Sequence, residues 1–137
     1  MKHYSCTDLA GVPDFRAAEY CDKSADYCLL IPVINEGARI LTELGRARKA
    51  GIDRLCDIVV CDGGSTDGSM SNDILPTYGV NTLLVKTGPG KQGAQLRMGL
   101  YFALQRGYKG VLTIDGNNKD SIEDVPEFIE KLQQGYD

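Results

Sequence analysis

Hydrophobic and polar positions fall into a regular order from Tyr27 onward. Cys28-Leu29-Leu30-Ile31-Pro32-Val33-Ile34 is a continuous apolar run, the pattern of a strand buried on both faces, and Pro32 marks where it frays. Ile40, Leu41, Leu44 and Ala47 or Arg48 then recur at helical spacing, with Gly51 where a helix C-terminus favours glycine. Asp57-Ile58-Val59-Val60-Cys61-Asp62 predicts a second buried strand. Gly63-Gly64-Ser65-Thr66-Asp67 predicts a turn, followed by a short helix that ends before Pro76. Val80 to Lys86 predicts a third strand, and Thr87-Gly88-Pro89-Gly90 a second loop. Ala94 through Arg106 reads as a helix with Leu96, Leu100 and Leu104 as its apolar repeat and Gly107 as its stop. Val111-Leu112-Thr113-Ile114-Asp115 predicts a fourth strand, then a polar loop from Gly116 to Ser121. The last helix carries Val125, Phe128, Ile129 and Leu132 on one face, with Asp124 and Glu127 spaced as a capping box. Residues 1–25 have no clean period; Ala17, Ala18 and Tyr20 predict at most a short helix.

Strand and helix alternate four times with short connections. That alternation requires right-handed crossovers and parallel strands with helices on both faces, hence an α/β fold with an open, doubly wound, mainly parallel sheet. The expected organisation is an N-terminal extension, residues 1–26, and one α/β domain, residues 27–137.

Composition narrows the partners. The chain has 137 residues, a usual size for a single compact domain. Its 15 Lys and Arg against 19 Asp and Glu leave a net charge of −4, and no basic stripe exists for a nucleic-acid backbone. No segment approaches the roughly 20 apolar residues of a membrane span, and the N-terminus lacks the apolar core of a signal peptide. Five cysteines without a C-x-x-C pair, and His3 as the single histidine, do not make a zinc site. Reduced thiols and a cytoplasmic location are expected.

In open α/β sheets ligands bind beyond the carboxyl ends of the strands, where strand order reverses. Asn35-Glu36, Asp62-Gly63-Gly64-Ser65, Lys86 to Lys91 and Asp115-Gly116-Asn117 all occupy such ends. One aspartate there is ordinarily a loop former, whereas four polar strand ends together point to a ligand. Helix N-termini behind these loops favour phosphate, and Lys91 and Arg97 add full charges. Asp62 and Asp115 repel phosphate and need a ribose hydroxyl, a base N–H or an intervening cation. The combination suits a nucleoside diphosphate with a divalent metal. Two simpler motifs fail: Gly88-Pro89-Gly90-Lys91-Gln92 lacks P-loop spacing, and the G-x-G-x-x-G at Gly88 to Gly93 follows the third strand instead of the first.

Ile31-Pro32-Val33-Ile34-Asn35-Glu36 and Val59-Val60-Cys61-Asp62-Gly63-Gly64-Ser65-Thr66-Asp67-Gly68 resemble the first two motifs of family 2 glycosyltransferases. Gly90-Lys91-Gln92-Gly93-Ala94-Gln95-Leu96-Arg97 resembles their third region, and Thr113-Ile114-Asp115-Gly116-Asn117-Asn118 falls where they carry a D-x-D element. The likeness runs in order over residues 27–137 and includes the dolichol-phosphate mannose synthase-like branch. It implies the Rossmann-like nucleotide-binding half of a GT-A fold and inverting sugar transfer from a UDP- or GDP-linked donor. By position, it implies that Pro32, Asn35, Glu36 and Gly64 line the donor pocket and that Asp62 accepts from the base. It likewise gives Lys91 or Arg97 to base or phosphate, and Asp115 with Asn117 to a Mg²⁺ or Mn²⁺ ion.

Two departures accompany the likeness. Asn117 replaces the second aspartate with a neutral amide; Asp120 could compensate or Lys119 partly neutralise the phosphates, but the favoured reading makes both solvated loop residues. The chain also ends at Gly135-Tyr136-Asp137, where a further strand is expected, so the acceptor half and the catalytic base are expected outside it. The acceptor classes implied are a lipid phosphate or a polysaccharide, the former with the full-length protein at a membrane surface. The alternative reading is a non-catalytic α/β interaction module whose free sheet edge pairs with another chain, including a second copy. A phosphoacceptor receiver is set aside because Asn35-Glu36 supplies one carboxylate where that chemistry needs a cluster.

Overall fold

A computed structural model describes residues 1–5, 11–119 and 121–135. Six strands form one sheet: β1 (Lys2–Tyr4), β2 (Phe15–Glu19), β3 (Tyr27–Val33), β4 (Asp57–Asp62), β5 (Val80–Lys86) and β6 (Gly110–Thr113). The helices are α1 (Ala38–Lys49), the short α2 (Ile52–Leu55), α3 (Gln92–Arg106) and α4 (Val125–Gln133). Across the sheet the order is β1-β2-β5-β4-β3-β6. The four strands from β5 to β6 are parallel, while β1 and β2 are antiparallel additions beyond β5. The doubly wound, mainly parallel α/β sheet read from the sequence is the fold observed.

The continuous apolar runs become two cores through the strand period of two. Leu29, Ile31 and Val33 of β3, with Ile58 and Val60 of β4, pack with Ile40 and Leu44 of α1 and Ile129 of α4. Their neighbours Cys28, Leu30, Val59 and Cys61 face the other way, onto Met98, Phe102 and Ala103 of α3. Helix α3 lies close to the sheet because Gly99 has no side chain. A Cβ there would stand 2.7 Å from Cys61 Sγ and 3.0 Å from Leu30 Cδ1.

Successive strands step from β3 to β4 to β5 in one direction, and the β5–α3–β6 crossover then returns the chain to the far side of β3. The order reverses between β3 and β6. The β3–β6 register ends at Leu30↔Thr113, followed by one bond from Ile114 N–H to the Leu30 carbonyl. Pro32 is the next residue of β3 facing that side, and it has no N–H with which to continue the ladder. The two strands part there, and a crevice opens.

Four local expectations are corrected. Around Ala17 to Tyr20 the chain forms strand β2, not a helix: Phe15 and Ala17 point inward, Arg16 points outward, and Tyr4 of β1 stacks on Phe15 with ring centroids 4.6 Å apart. Alanine's small side chain hides this alternation. No helix follows the Gly63–Asp67 turn. Asp67 Oδ1 accepts from the Ser69 N–H and hydroxyl, local bonds that compete with a helix, and only a 3₁₀ turn, Leu75–Tyr78, forms around Pro76. Asp124 makes no side-chain cap, because the 3₁₀ turn Ile122–Asp124 already gives it helical torsions. The Leu96, Leu100 and Leu104 stripe is not the buried face of α3, since Leu100 is 44% and Leu104 77% exposed. The sheet instead receives Ala94, Met98, Gly99, Phe102 and Ala103, whose small members allow the close approach.

Candidate functional site

The parting of β3 and β6 opens a cleft of about 510 Å³ at the carboxyl ends of the strands. Its walls come from every loop on that edge. The end of β3 supplies Pro32, Ile34 and Glu36; β4 supplies Gly63; β5 supplies Lys86; the start of α3 supplies Gly90, Lys91, Gln92 and Gln95; and the loop after β6 supplies Asp115, Gly116 and Asn117. Five of the residues expected from the sequence, Pro32, Glu36, Lys91, Asp115 and Asn117, therefore share one cavity.

The remaining four stand beside it. Asn35, at φ 47°, accepts from the Thr66 N–H through Oδ1 at 2.8 Å, while its own N–H donates to Ser65 Oγ at 2.9 Å. Asp62 is buried and accepts from the Ser65 N–H at 3.0 Å and the Ser65 hydroxyl at 2.6 Å. Together with Asp67, which accepts from the Gly37 N–H at 2.9 Å, they zip the loop after β3 to the loop after β4. The Ser69 hydroxyl and N–H, with the Gly37 N–H, hold the Asp67 carboxyl below its ordinary value. Gly64, at φ 107°, faces open space. Arg97 lies on the exposed side of α3, where its Nε donates to the Gly11 carbonyl. Asp120 lies outside the described residues.

Three cleft residues were not singled out from the sequence. Lys86 reaches across its loop, with Nζ donating to the Gly88 carbonyl at 2.8 Å. Gln92 Nε2 donates to Asp115 Oδ1 at 2.6 Å and so ties the start of α3 to the loop after β6. Gln95 is buried, and its Nε2 donates to the Val33 carbonyl at 2.7 Å and the Cys61 carbonyl at 2.9 Å. That one amide bridges the ends of β3 and β4. A glutamine between Ala94 and Met98 on the apolar face of a helix was the available signal, because a buried amide must find partners.

The cleft thus holds two ammonium groups, two carboxylates and the N-terminus of a helix spanning Gln92–Arg106. Glu36 Oε2 lies 3.0 Å from Arg39 Nε. Gly116 sits hard against the sheet: a Cβ there would lie 2.5 Å from Val33 Cγ1 and 3.2 Å from the Pro32 carbonyl oxygen. Among the described residues no group of three or more His, Cys, Asp or Glu side chains gathers as a metal cage.

No family model matches the chain. It is 31% identical over 110 residues to glycosyltransferase AglJ of Haloferax volcanii, an alignment covering 80% of this chain and 33% of that protein. It is 29% identical over 124 residues to the undecaprenyl-phosphate 4-deoxy-4-formamido-L-arabinose transferase of Aeromonas hydrophila, covering 80% of this chain and 34% of that one. Most of this chain is thus similar to a part of two glycosyltransferases. The expectation drawn from the four motifs holds at that level, and the sheet is consistent with the Rossmann-like half of a GT-A fold. The chain spans about a third of the length of the curated relatives it matches. Among the described residues no helix is long and apolar enough to cross a membrane.

Proposed function

We propose that the cleft binds the nucleoside-diphosphate part of a sugar donor, in the manner of a family 2 glycosyltransferase of the inverting type. The observation carrying this reading is the meeting of Lys86 and Lys91, from the two ends of the β5–α3 loop, with Asp115 of the loop after β6, where strand order reverses. Lys86, Lys91 and the free N–H groups at the start of α3 are suited to the diphosphate. Glu36 and Asp115 are suited to ribose hydroxyls or a base N–H. The zipped loops bearing Asn35, Asp62 and Gly64 form the rim on the base side, and Arg97 would support the start of α3 from outside.

Asp115 and the neighbouring Asn117 amide fit a Mg²⁺ or Mn²⁺ ion, which commonly keeps several waters and takes only one or two carboxylates besides phosphate oxygens. When bound, such an ion would offset the charge developing on the leaving diphosphate. Gln92, by donating to Asp115 Oδ1, fixes the carboxylate's rotation. The acceptor and the group that deprotonates it belong to other parts of the enzyme. The name of the Aeromonas relative carries a polyprenyl phosphate, so a lipid phosphate is favoured over a polysaccharide, with the enzyme working at a cytoplasmic membrane surface.

Calorimetric titration of the chain with UDP and with GDP in the presence of Mn²⁺ tests this. One nucleotide should bind, and Asp115→Ala and Lys91→Ala should each weaken it about tenfold or more, as expected for charge-assisted contacts. Absence of heat with both nucleotides overturns the reading. A second reading, an interaction module, draws on a different observation: β6 pairs only with β3 among the described residues, and half-exposed Phe128 shares a pocket with Leu112 and Thr113 of that strand.

A further inference from the structure

The loop after β6 reaches the cleft through Asp115, Gly116 and Asn117, and turns away at the next residue. Asn118 has φ 62°, a left-handed torsion that costs an ordinary residue energy unless its surroundings impose it. Two bonds from α1 impose it here. The Asn118 N–H donates to Glu43 Oε1 at 2.8 Å, and Arg46 Nη1 donates to Asn118 Oδ1 at 2.7 Å. The rest of the Arg46 fork closes on Glu123, with Nε to Oε2 at 2.8 Å and Nη2 to Oε1 at 2.6 Å. One guanidinium therefore gathers residues on both sides of the loop's exit.

Neither Glu43 nor Arg46 lines the cleft. Glu43 is fully buried on the inward face of α1, between the core residues Ile40 and Leu44. A carboxylate there carries a desolvation cost that an aliphatic side chain would avoid. Its bond to the Asn118 N–H gives a reason for it to carry an acceptor oxygen. On the cleft side, the same loop is held by Gln92 on Asp115 and by the close seat of Gly116 on Val33.

We propose that Glu43 and Arg46 are positioning residues of the donor site, acting through Asn118 to fix the loop so that Asp115 and Asn117 face the cleft. The proposal rests on the donor reading for its functional consequence, though not for the clamp itself. Outer partners that orient ligating groups commonly affect affinity about 10–100-fold when removed.

Arg46→Met, Arg46→Lys and Glu43→Leu in the full chain should each weaken Mn²⁺-dependent UDP or GDP binding, Arg46→Met by about tenfold. Glu43→Gln, whose amide oxygen still accepts the N–H, should restore most of the affinity lost in Glu43→Leu. In an Asp115→Ala background, Arg46→Met should cost nothing further, since both changes disable one loop. Without ligand, amide exchange at Asn118 should accelerate in Arg46→Met and in the milder Arg46→Lys while β3 amides stay protected. Wild-type binding with unchanged affinity in Arg46→Met and Glu43→Leu overturns the proposal, as does a full additive loss in the Asp115→Ala background. If the wild-type chain binds neither nucleotide, the donor reading fails, and unchanged Asn118 exchange in the Arg46 variants then overturns the clamp separately.

Discussion

Arg46 and Glu123 meet on the surface, yet Glu123 is held well away from ordinary carboxylate behaviour. The guanidinium fork lowers its pKa from 4.5 to about 2. A carboxyl depressed by folding stabilises the native state above its unfolded pKa and loses that contribution as pH falls through the folded one. The thermal melting temperature of the wild-type chain should therefore exceed that of Glu123→Gln above pH 4.5, and the gap should close as pH falls toward 2. A gap that persists unchanged to the acid limit would show that the pair contributes by packing and not by charge. This pair also marks where sequence reading ran out. Asp115 and Lys91 were legible because they stand at strand ends, where the architecture requires ligand contacts. Glu43 and Arg46 were hidden because each lies inside a helix, and nothing in helical spacing reports that a loop far along the chain reaches back to them.

At the scale of elements, strands β3, β4 and β5 and helices α1 and α3 were readable because each carries a strong period or apolar run and a glycine stop. The N-terminal hairpin was not. Strand β2 is short, carries two alanines and finds its partner in β5, with Phe15 opposite Lys86 and Glu19 opposite Thr82. Only that pairing reveals its alternation. Phe15 is fully buried between β5 and α3 and edge-on to Tyr101. Phe15→Ala should destabilise the chain by about 3–5 kcal/mol in denaturant unfolding, the range for a large core aromatic. A loss within surface-substitution range, about 0.5 kcal/mol, would mean that the hairpin is an appendage and not part of the core. The hairpin also bears on the cleft: the Asp14 carbonyl accepts from Thr87 and Gly88, in the loop that leads to Lys91.

For the whole molecule, the free side of β6 is the feature with the widest reach. Among the described residues its outer backbone is unpaired, with Phe128 beside Leu112 and Thr113, and exposed edges of this kind recruit further strands. Size-exclusion chromatography with light scattering should show self-association that grows with concentration and recedes in Phe128→Glu. A monomer at every concentration removes the support for the interaction-module reading. The topology also has a consequence in time. Ribosomes release the amino end first, but β2 has no lattice position until Lys86 has been made, and β3 lacks its outer neighbour until Gly110 follows. A nascent chain therefore carries apolar strands with open flanks until those partners have been made. Such long-range closure is slow compared with helical folding, and the cleft, walled partly by the loop after β6, forms only once that loop has been made.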